Sequence, residues 1–211
     1  MSGTAAWWDQ RYREGRDGWE LGVPAPPLQR FLTTDSRAPQ PTAGGVLVPG
    51  CGRGHEAALL ARLGFQAIGL DISGEALQHA RRCHGDGSDR LRWLQADLFD
   101  ANALSAAGLG PETLDGLLEH TCFCAIAPDQ RGSYWDAVAR MLRPGGWLLG
   151  LFWCHDRPGG PPYGSDPQRL AADLTAAGFS PLVWEPAAES AIGRDGQPRS
   201  HEWLGLWRRL P

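Results

Sequence analysis

The sequence predicts an α/β fold: a single doubly wound, Rossmann-like sheet of about seven strands, mostly parallel, with the last strand antiparallel. Three observations support this prediction. From Gly45 onward, short apolar runs alternate with helical stretches. The runs are apolar without alternation, which is typical of parallel strands that are covered on both faces. A glycine-rich stretch, VLVPGCGRG at 46–54, carries the first run into a turn.

Seven apolar runs are predicted as strands. In chain order they are 46–48, 67–70, 91–94, 114–118, 147–152, 179–185 and 202–208. The last strand is expected to pair with the one before it as in a hairpin, and therefore to run antiparallel.

Helices are predicted between these runs from periodicity and from stop signals. The predicted ranges are 27–32, 56–63, 75–82, 134–142 and 167–177. Gly64 and Gly178 end two of them, and Pro144-Gly145-Gly146 is expected to separate the fourth from the next strand. Asp166 is the expected N-cap of the last helix, with Pro167 at its first position.

Residues 1–44 differ in composition from the rest of the chain. They hold Trp7, Trp8 and Trp19, followed by a proline-spaced linker. We therefore predict two parts: an N-terminal aromatic arm over 1–44 that covers the core as a lid, and an α/β domain over 45–211.

Composition excludes several classes of partner and chemistry. The net charge is −4 with no basic run, so we expect no nucleic acid and no anionic membrane surface as partner. No stretch approaches the roughly 18 apolar residues of a membrane span.

The five cysteines do not suggest a disulfide framework, and we expect a cytoplasmic protein. All 20 residues in the Lys+Arg count are arginine, which excludes Schiff-base catalysis and a P-loop lysine.

The glycine turn predicts a ligand close to the backbone. Gly50, Gly52 and Gly54 stand between a strand and a helix, where backbone N–H groups at a helix N-terminus can bind a polar group. A dinucleotide fingerprint of the G-x-G-x-x-G kind would need a third glycine at His55, so that fingerprint is incomplete. A tight connection without a ligand is the alternative.

Two acids follow the next two strands. Asp71 comes about twenty residues after the first glycine, where a carboxylate can accept hydrogen bonds from ribose hydroxyls. Asp97 ends the third predicted strand. Each could instead be a helix cap or a turn former. Together with the glycines, they predict one groove for a nucleoside that carries a polar tail.

These motifs resemble those of class I S-adenosylmethionine-dependent methyltransferases. VLVPGCGRGHEAALLARLGFQAIGLDIS is similar to the thiopurine methyltransferase-type family, and EHTCFCAIAPDQR, MLRPGG and GGPPY resemble its thiol and halide methyltransferase branch. The resemblance runs from about Trp8 to the C-terminus. It implies S-adenosylmethionine as cofactor, S-adenosylhomocysteine as product, and a monomer.

The resemblance also implies roles for individual residues. Aromatic residues of the arm would close over the cofactor at a spacing of four and then seven residues, and the glycines would approach its methionine part. Asp71 would bind the ribose and Asp97 with Leu98 the adenine. His120 stands where the family carries Tyr or Arg, and is assigned to contact. The implied cofactor-binding residues are Trp8, Tyr12, Trp19, Gly50, Gly52, Asp71, Ile72, Asp97, Leu98 and His120.

Tyr163, in GGPPY, matches the tyrosine that the thiol and halide branch uses at the nucleophile site. The implied reaction moves a methyl group to a small soft nucleophile by in-line displacement, in a pocket that we predict from Trp19, Phe123, Trp153 and Tyr163. A preformed anion needs no general base, whereas a neutral thiol does, with His120 or Tyr163 as candidates. A thiopurine or another aromatic thiol is the alternative acceptor.

Three other interpretations remain open at this point. Cys122, Cys124, Cys154 and His155 are possible zinc ligands, but their spacing fits no common site, and we predict no metal. A nicotinamide oxidoreductase would use the same glycines and Asp71. A non-catalytic sensor of the cofactor would keep the groove and lose the acceptor pocket.

Overall fold

The computed structural model of the chain describes residues 3–188 and 201–211. Seven strands form one sheet in the order β3-β2-β1-β4-β5-β7-β6. Strands β1 to β5 are parallel neighbours, and β7 lies between β5 and β6, antiparallel to both. The strands are β1 (Gly45–Pro49), β2 (Gln66–Asp71), β3 (Leu91–Gln95), β4 (Leu114–His120), β5 (Leu142–Trp153), β6 (Phe179–Pro186) and β7 (Glu202–Arg209). The predicted α/β fold and the antiparallel last strand are confirmed.

Helices cover both faces of this sheet. They are α1 (Ala5–Arg13), α2 (Pro26–Thr34), α3 (His55–Arg62), α4 (Gly74–His84), α5 (Ala101–Ala106), α6 (Arg131–Met141) and α7 (Pro167–Ala176). Two 3-10 turns, Phe123–Ala125 and Pro128–Gln130, precede α6. Among the described residues, no helix has the length and apolar character needed to cross a bilayer.

Two apolar clusters divide the core between the faces. In β1, Val46 and Val48 belong to the cluster that contains apolar residues of α2, α3 and α4, while Leu47 belongs to the cluster of α5, α6 and α7. Successive side chains of a strand point to opposite faces, so an unbroken apolar run serves both clusters. This explains why the strands of the parallel part lack alternation.

Several predicted boundaries need correction. The sequence did not indicate α1 or α5, and α6 begins three residues before its predicted start. The expectation that Pro144-Gly145-Gly146 separates helix from strand is wrong, because α6 ends at Met141 and β5 begins at Leu142. Leu142 pairs with Leu114 and Trp147 with Gly116, so the intervening residues form an irregularity within β5.

The N-terminal caps explain where several helices start. The Asp166 side chain accepts from the Arg169 amide at 2.8 Å, which confirms the predicted cap of α7. Thr4 caps α1 by accepting from the Trp7 amide at 3.3 Å. Asp100 accepts from the amides of Asn102 and Ala103 and caps the short helix α5.

Candidate active site

A cavity of about 870 Å³ lies at the carboxyl ends of the parallel strands. The sheet order changes direction between β1 and β4, and open α/β sheets bind ligands in the crevice at such a point. The wall contains side chains from the ends of β2, β4 and β5 and from the N-terminal arm. Of the residues predicted from the sequence, the lining includes Trp8, Tyr12, Trp19, Gly50, Asp71, Ile72, Asp97, Leu98 and His120.

The glycine turn and Asp71 form one hydrogen-bonded unit. The Gly52 amide donates to one carboxylate oxygen of Asp71 at 2.9 Å, and the Ser73 amide donates to the other at 2.8 Å. Gly50 has a φ of 54°, and a Cβ there would come within 2.8 Å of the Cys122 sulfur, so only glycine fits. Burial raises the pKa of Asp71 to about 6, although these amides lower it.

Aromatic side chains of the arm stand over this unit. Trp19 makes edge-to-face contacts with Trp8 and Tyr12, with ring centroids 5.5 and 5.8 Å apart. Tyr12 is buried, and a Cβ at Gly52 would lie 3.0 Å from its hydroxyl oxygen. Burial, followed by the charge of Asp71, raises the pKa of Tyr12 well above its ordinary value. The three rings thus form an apolar cover at the predicted spacing.

Polar contacts attach helix α1 to the start of α4. The Ser73 hydroxyl donates to Asp9 at 2.6 Å, and the Glu75 amide donates to the same oxygen at 3.2 Å. Arg13 pairs with Glu75 at 3.3 Å. Because Asp9 lies one residue after Trp8, these bonds fix the part of the helix that carries the aromatic cover.

An ionic cluster attaches the rest of the arm to the glycine turn. Arg53 pairs with Asp17, whose side chain is fully buried, and lies 3.5 Å from a carboxylate oxygen of Glu20. The other Glu20 oxygen lies 2.9 Å from Nε2 of His55. Arg53 and His55 flank Gly54, so the turn and the arm hold each other in place.

Glu119, at the end of β4, organises the next part of the wall. Its carboxylate accepts from the Phe123 amide at 2.8 Å and from the Tyr134 hydroxyl. Glu119 is 1% exposed, and burial raises its pKa despite these donors. The contact with the Phe123 amide fixes the 3-10 turn that follows β4.

His120 follows Glu119 and pairs with an acid from the opposite side of the crevice. Its Nδ1 lies 2.9 Å from Oε1 of Glu56, which also accepts from the Ala25 amide at 3.0 Å. Both side chains are buried. Burial alone would raise the pKa of Glu56, but the charge of His120 and the hydrogen bonds outweigh it and lower that pKa.

Aromatic and basic groups form the end of the cavity near β5. The guanidinium carbon of Arg157 lies 5.2 Å from the ring centre of Trp153, and that of Arg131 lies 4.5 Å from the ring centre of Phe123. His155 packs on Trp153 with centroids 4.2 Å apart. Its Nδ1 accepts from the Arg157 amide at 3.2 Å, and burial lowers the pKa of His155. Phe123, Trp153, His155 and Arg157 all line the cavity.

Two predicted residues lie beside the cavity rather than in its lining. Gly52 faces a smaller neighbouring pocket. Tyr163 is half-buried between lining residues Pro162 and Ser165. Its amide donates to the Cys124 carbonyl at 2.6 Å, and Arg131 donates to its carbonyl at 3.2 Å. These bonds fix the GGPPY loop against the turn after β4.

Sequence reasoning missed several lining residues. They are Arg11, Arg16, Phe99, Glu119, His155, Arg157, His201 and Glu202. Phe99 and Glu119 could have been found, since each is a near neighbour of a predicted residue at a strand end. Among residues 3–188 and 201–211, no three His, Cys, Asp or Glu side chains are grouped as a metal site.

The wall fits S-adenosylmethionine. A buried acid and a bare backbone turn are adjacent, as a ribose and a charged amino-acid tail require. Aromatic rings cover this region, and such rings attract a cation such as the sulfonium. The cavity is in the upper part of the size range for small-molecule sites, roughly 300–1,000 Å³.

Comparison with known proteins agrees with this site. The sequence pattern of the family "Thiopurine S-methyltransferase (TPMT)" matches residues 3–180. Thiocyanate methyltransferase 1 of Brassica oleracea is 30% identical over 206 residues, covering 96% of this chain and 84% of the relative. Its namesake in Arabidopsis thaliana is 28% identical with the same coverage.

The comparison with solved structures agrees with the fold. The structure of Burkholderia thailandensis 1,6-didemethyltoxoflavin-N1-methyltransferase, with S-adenosylhomocysteine bound, aligns with a TM-score of 0.70 at 22% identity. The alignment covers 98% of this chain and 87% of that one. The chain therefore belongs to the thiopurine S-methyltransferase (TPMT) family and is an S-adenosylmethionine-dependent methyltransferase.

Proposed function

We propose that the protein transfers the methyl group of S-adenosylmethionine to a small soft nucleophile: a thiol or thiolate, thiocyanate, or a halide. The observation that carries this proposal is the end of the cavity near β5, which is lined by Phe123, Trp153 and Arg157. The guanidinium of Arg131 contacts the Phe123 ring from outside this lining. Polarisable rings suit a soft nucleophile, and nearby cations favour one that carries negative charge. The names of the relatives agree with this acceptor class.

In this proposal the glycine turn and the strand ends hold the donor. Gly50 and Gly52 approach its methionine part, Asp71 with Ile72 the ribose, and Asp97 with Leu98 the adenine. His120 contacts the donor or the acceptor from the end of β4. Trp8, Tyr12 and Trp19 exclude water from above.

S-adenosylmethionine supplies a methyl group that the sulfonium has already activated. The protein must therefore hold the nucleophile in line, about 3 Å from the methyl carbon, and remove its water. Tyr163 is the residue we assign to the acceptor: its hydroxyl donates a hydrogen bond to the anion from its place beside the cavity. The contacts of its backbone with Cys124 and Arg131 support a fixed position beside the cavity.

An aromatic thiol, such as a thiopurine, is the second candidate acceptor. The size of the cavity favours it, because about 870 Å³ is a large volume for a donor and a single ion. Half-buried Trp153 would then stack on the acceptor ring.

Residues 1–44 serve, in this proposal, as a lid on a domain formed by 45–211, in a monomer of the cytoplasm. The aromatic contacts and ion pairs of the arm support the lid. Cys51 and Cys122, which form no disulfide, support a reducing compartment.

An acceptor panel tests the proposal. Methyl-labelled S-adenosylmethionine is incubated with the protein and thiocyanate, iodide, methanethiol, thiophenol or 6-mercaptopurine, and labelled products are measured in the headspace and by chromatography. We expect turnover of at least one soft nucleophile and none of the matched alcohols methanol and phenol. Label on no soft nucleophile, or equal label on thiols and alcohols, contradicts the proposal.

A further inference from the structure

A buried carboxylate and a buried imidazole face each other beneath the cavity. Oε1 of Glu56 lies 2.9 Å from Nδ1 of His120. Glu56 belongs to the first turn of α3, directly after the glycine turn, and His120 is the last residue of β4. The pair therefore spans the crevice between β1 and β4, where the sheet changes direction.

A contribution to folding stability does not explain why these two ionisable side chains are buried together. Two ionisable groups lose their hydration when they are buried, and a buried pair is often no more stabilising than apolar residues of the same volume. A position that has only to fill the core would be better served by such residues. An ionisable pair next to a ligand cavity is instead a frequent functional arrangement.

Several ionisable residues surround the imidazole ring of His120. Glu56 faces it from α3, and the charge of His120 helps to lower the pKa of Glu56. Glu119 precedes it on its own strand, where burial raises the pKa of Glu119 and the charge of His120 only partly offsets that rise. His120 also lines the smaller neighbouring pocket, together with Glu20, Arg53 and His55. Cys122 follows His120 by two residues in the sequence. Acids thus outnumber bases among the ionisable residues near the ring, with Glu20, Glu56 and Glu119 against Arg53 and His55.

The contact with Glu56 also fixes the orientation of the ring. A carboxylate at Nδ1 holds the proton on that nitrogen, so the basic lone pair of the neutral ring resides on Nε2. A histidine oriented by an acid in this way is the arrangement by which enzymes remove a proton from a nucleophile.

We propose that His120, positioned by Glu56, is the general base that allows the enzyme to methylate neutral thiols as well as preformed anions. The inference rests on the proposed function, since it concerns the acceptor. Iodide and thiocyanate have no proton to lose, whereas a thiol below its pKa attacks poorly until it is deprotonated.

The proposed step transfers one proton and one methyl group. The S–H bond of the acceptor breaks, and its proton moves to Nε2 of His120, directly or through one water. A lone pair of the acceptor sulfur forms the new bond to the methyl carbon. The old carbon–sulfur bond breaks, with its electrons remaining on the departing sulfur. The imidazolium, stabilised by Glu56, then returns its proton to solvent.

A dead-end complex gives a readout that is independent of turnover. The protein is saturated with S-adenosylhomocysteine and titrated with thiophenol at one pH unit below the solution pKa of that thiol, and the ultraviolet band of the thiolate is recorded. We expect bound thiophenol to be mostly thiolate on the wild-type protein and mostly thiol on His120→Asn. Glu56→Gln should give an intermediate fraction, because Glu56 acts through His120.

Kinetics with two acceptors completes the test. At the same pH, His120→Asn should lower kcat/KM for thiophenol about 100-fold or more, the usual contribution of a general base, and the loss should shrink as pH rises past the pKa of the thiol. The loss for thiocyanate should be less than about tenfold. His84→Asn, outside the cavity lining, is the matched control.

Three results overturn the inference. They are a wild-type complex without the thiolate band, an equal band in His120→Asn, and an equal loss for both acceptors. Titration with S-adenosylhomocysteine checks that each variant is folded, and Glu56→Gln replaces His120→Asn if the latter does not fold. Thiocyanate turnover by the wild type separates failure of this inference from failure of the proposed function.

Discussion

The Gly52 amide and the Asp71 carboxylate are joined by a 2.9 Å hydrogen bond, which links the turn after β1 to the end of β2. A change in the charge of Asp71 therefore affects both surfaces that we assign to the donor. Burial is the main reason that the pKa of Asp71 rises to about 6, so protonation falls within an accessible pH range.

We predict that affinity for S-adenosylhomocysteine is constant above pH 7 and falls below about pH 6, by at most about tenfold per pH unit. The sign follows because the ribose hydroxyls donate to the carboxylate and compete with its proton. Calorimetric titration between pH 5 and 8 measures this. Asp71→Asn should bind weakly at every pH; a wild-type affinity that does not change with pH contradicts the assigned role.

Trp19→Ala should weaken binding of S-adenosylhomocysteine by about 10- to 100-fold, because a half-buried indole contributes roughly 1.5–3 kcal/mol of apolar contact. Trp7→Ala is the control, since Trp7 is half-buried like Trp19 but packs on Trp8 from outside the cavity lining. Its effect should be less than about threefold. Equal losses in the two variants would mean that the arm does not cover the donor.

Arg53→Met should lower the thermal midpoint by about 5–10 °C. The substitution removes an ionic partner of the buried Asp17 carboxylate, and breaking a buried ion pair costs about 3–5 kcal/mol. Arg62→Met, at an exposed position at the end of α3, should change the midpoint by less than about 2 °C. Scanning calorimetry at pH 7 compares them. A similar small change in both would show that the ionic cluster contributes little.

Tyr163→Phe should reduce acceptor turnover by about 10- to 100-fold while changing affinity for S-adenosylhomocysteine less than about threefold, because it removes one hydrogen-bond donor and leaves the ring in place. Steady-state kinetics with the best acceptor of the panel and a calorimetric titration measure the two effects. A loss confined to donor affinity would assign Tyr163 to the wrong end of the site.

Much of the fold was predictable because its signals are local. Apolar runs without alternation indicate parallel strands, and Gly178 and Asp166 mark real helix boundaries. Helix α1 was missed since its stability depends on distant contacts, such as that of Asp9 with Ser73. The start of β5 was missed because pairing with β4 outweighs the local preference of Pro144 and Gly145 for a turn.

The residues of the site fall into the same two groups: those that local signals indicate, and those that only the tertiary structure brings together. Asp71 and Asp97 could be predicted because the end of a parallel strand is recognisable in sequence and its place in the sheet follows from topology. The pairing of His120 with Glu56 joins residues 64 positions apart, and no local pattern reports it. His155 follows Trp153 on a loop whose path depends on tertiary contacts, so its position beside the cavity required the structure.

The central claim is that the strand ends, the glycine turn and the aromatic arm together bind an adenosyl sulfonium. Calorimetric titration of the purified full-length protein with S-adenosylmethionine, S-adenosylhomocysteine and NAD tests it most directly. The account predicts saturable one-to-one binding of the first two and none of NAD. Absence of binding for both adenosyl ligands, or binding of NAD in their place, would contradict it.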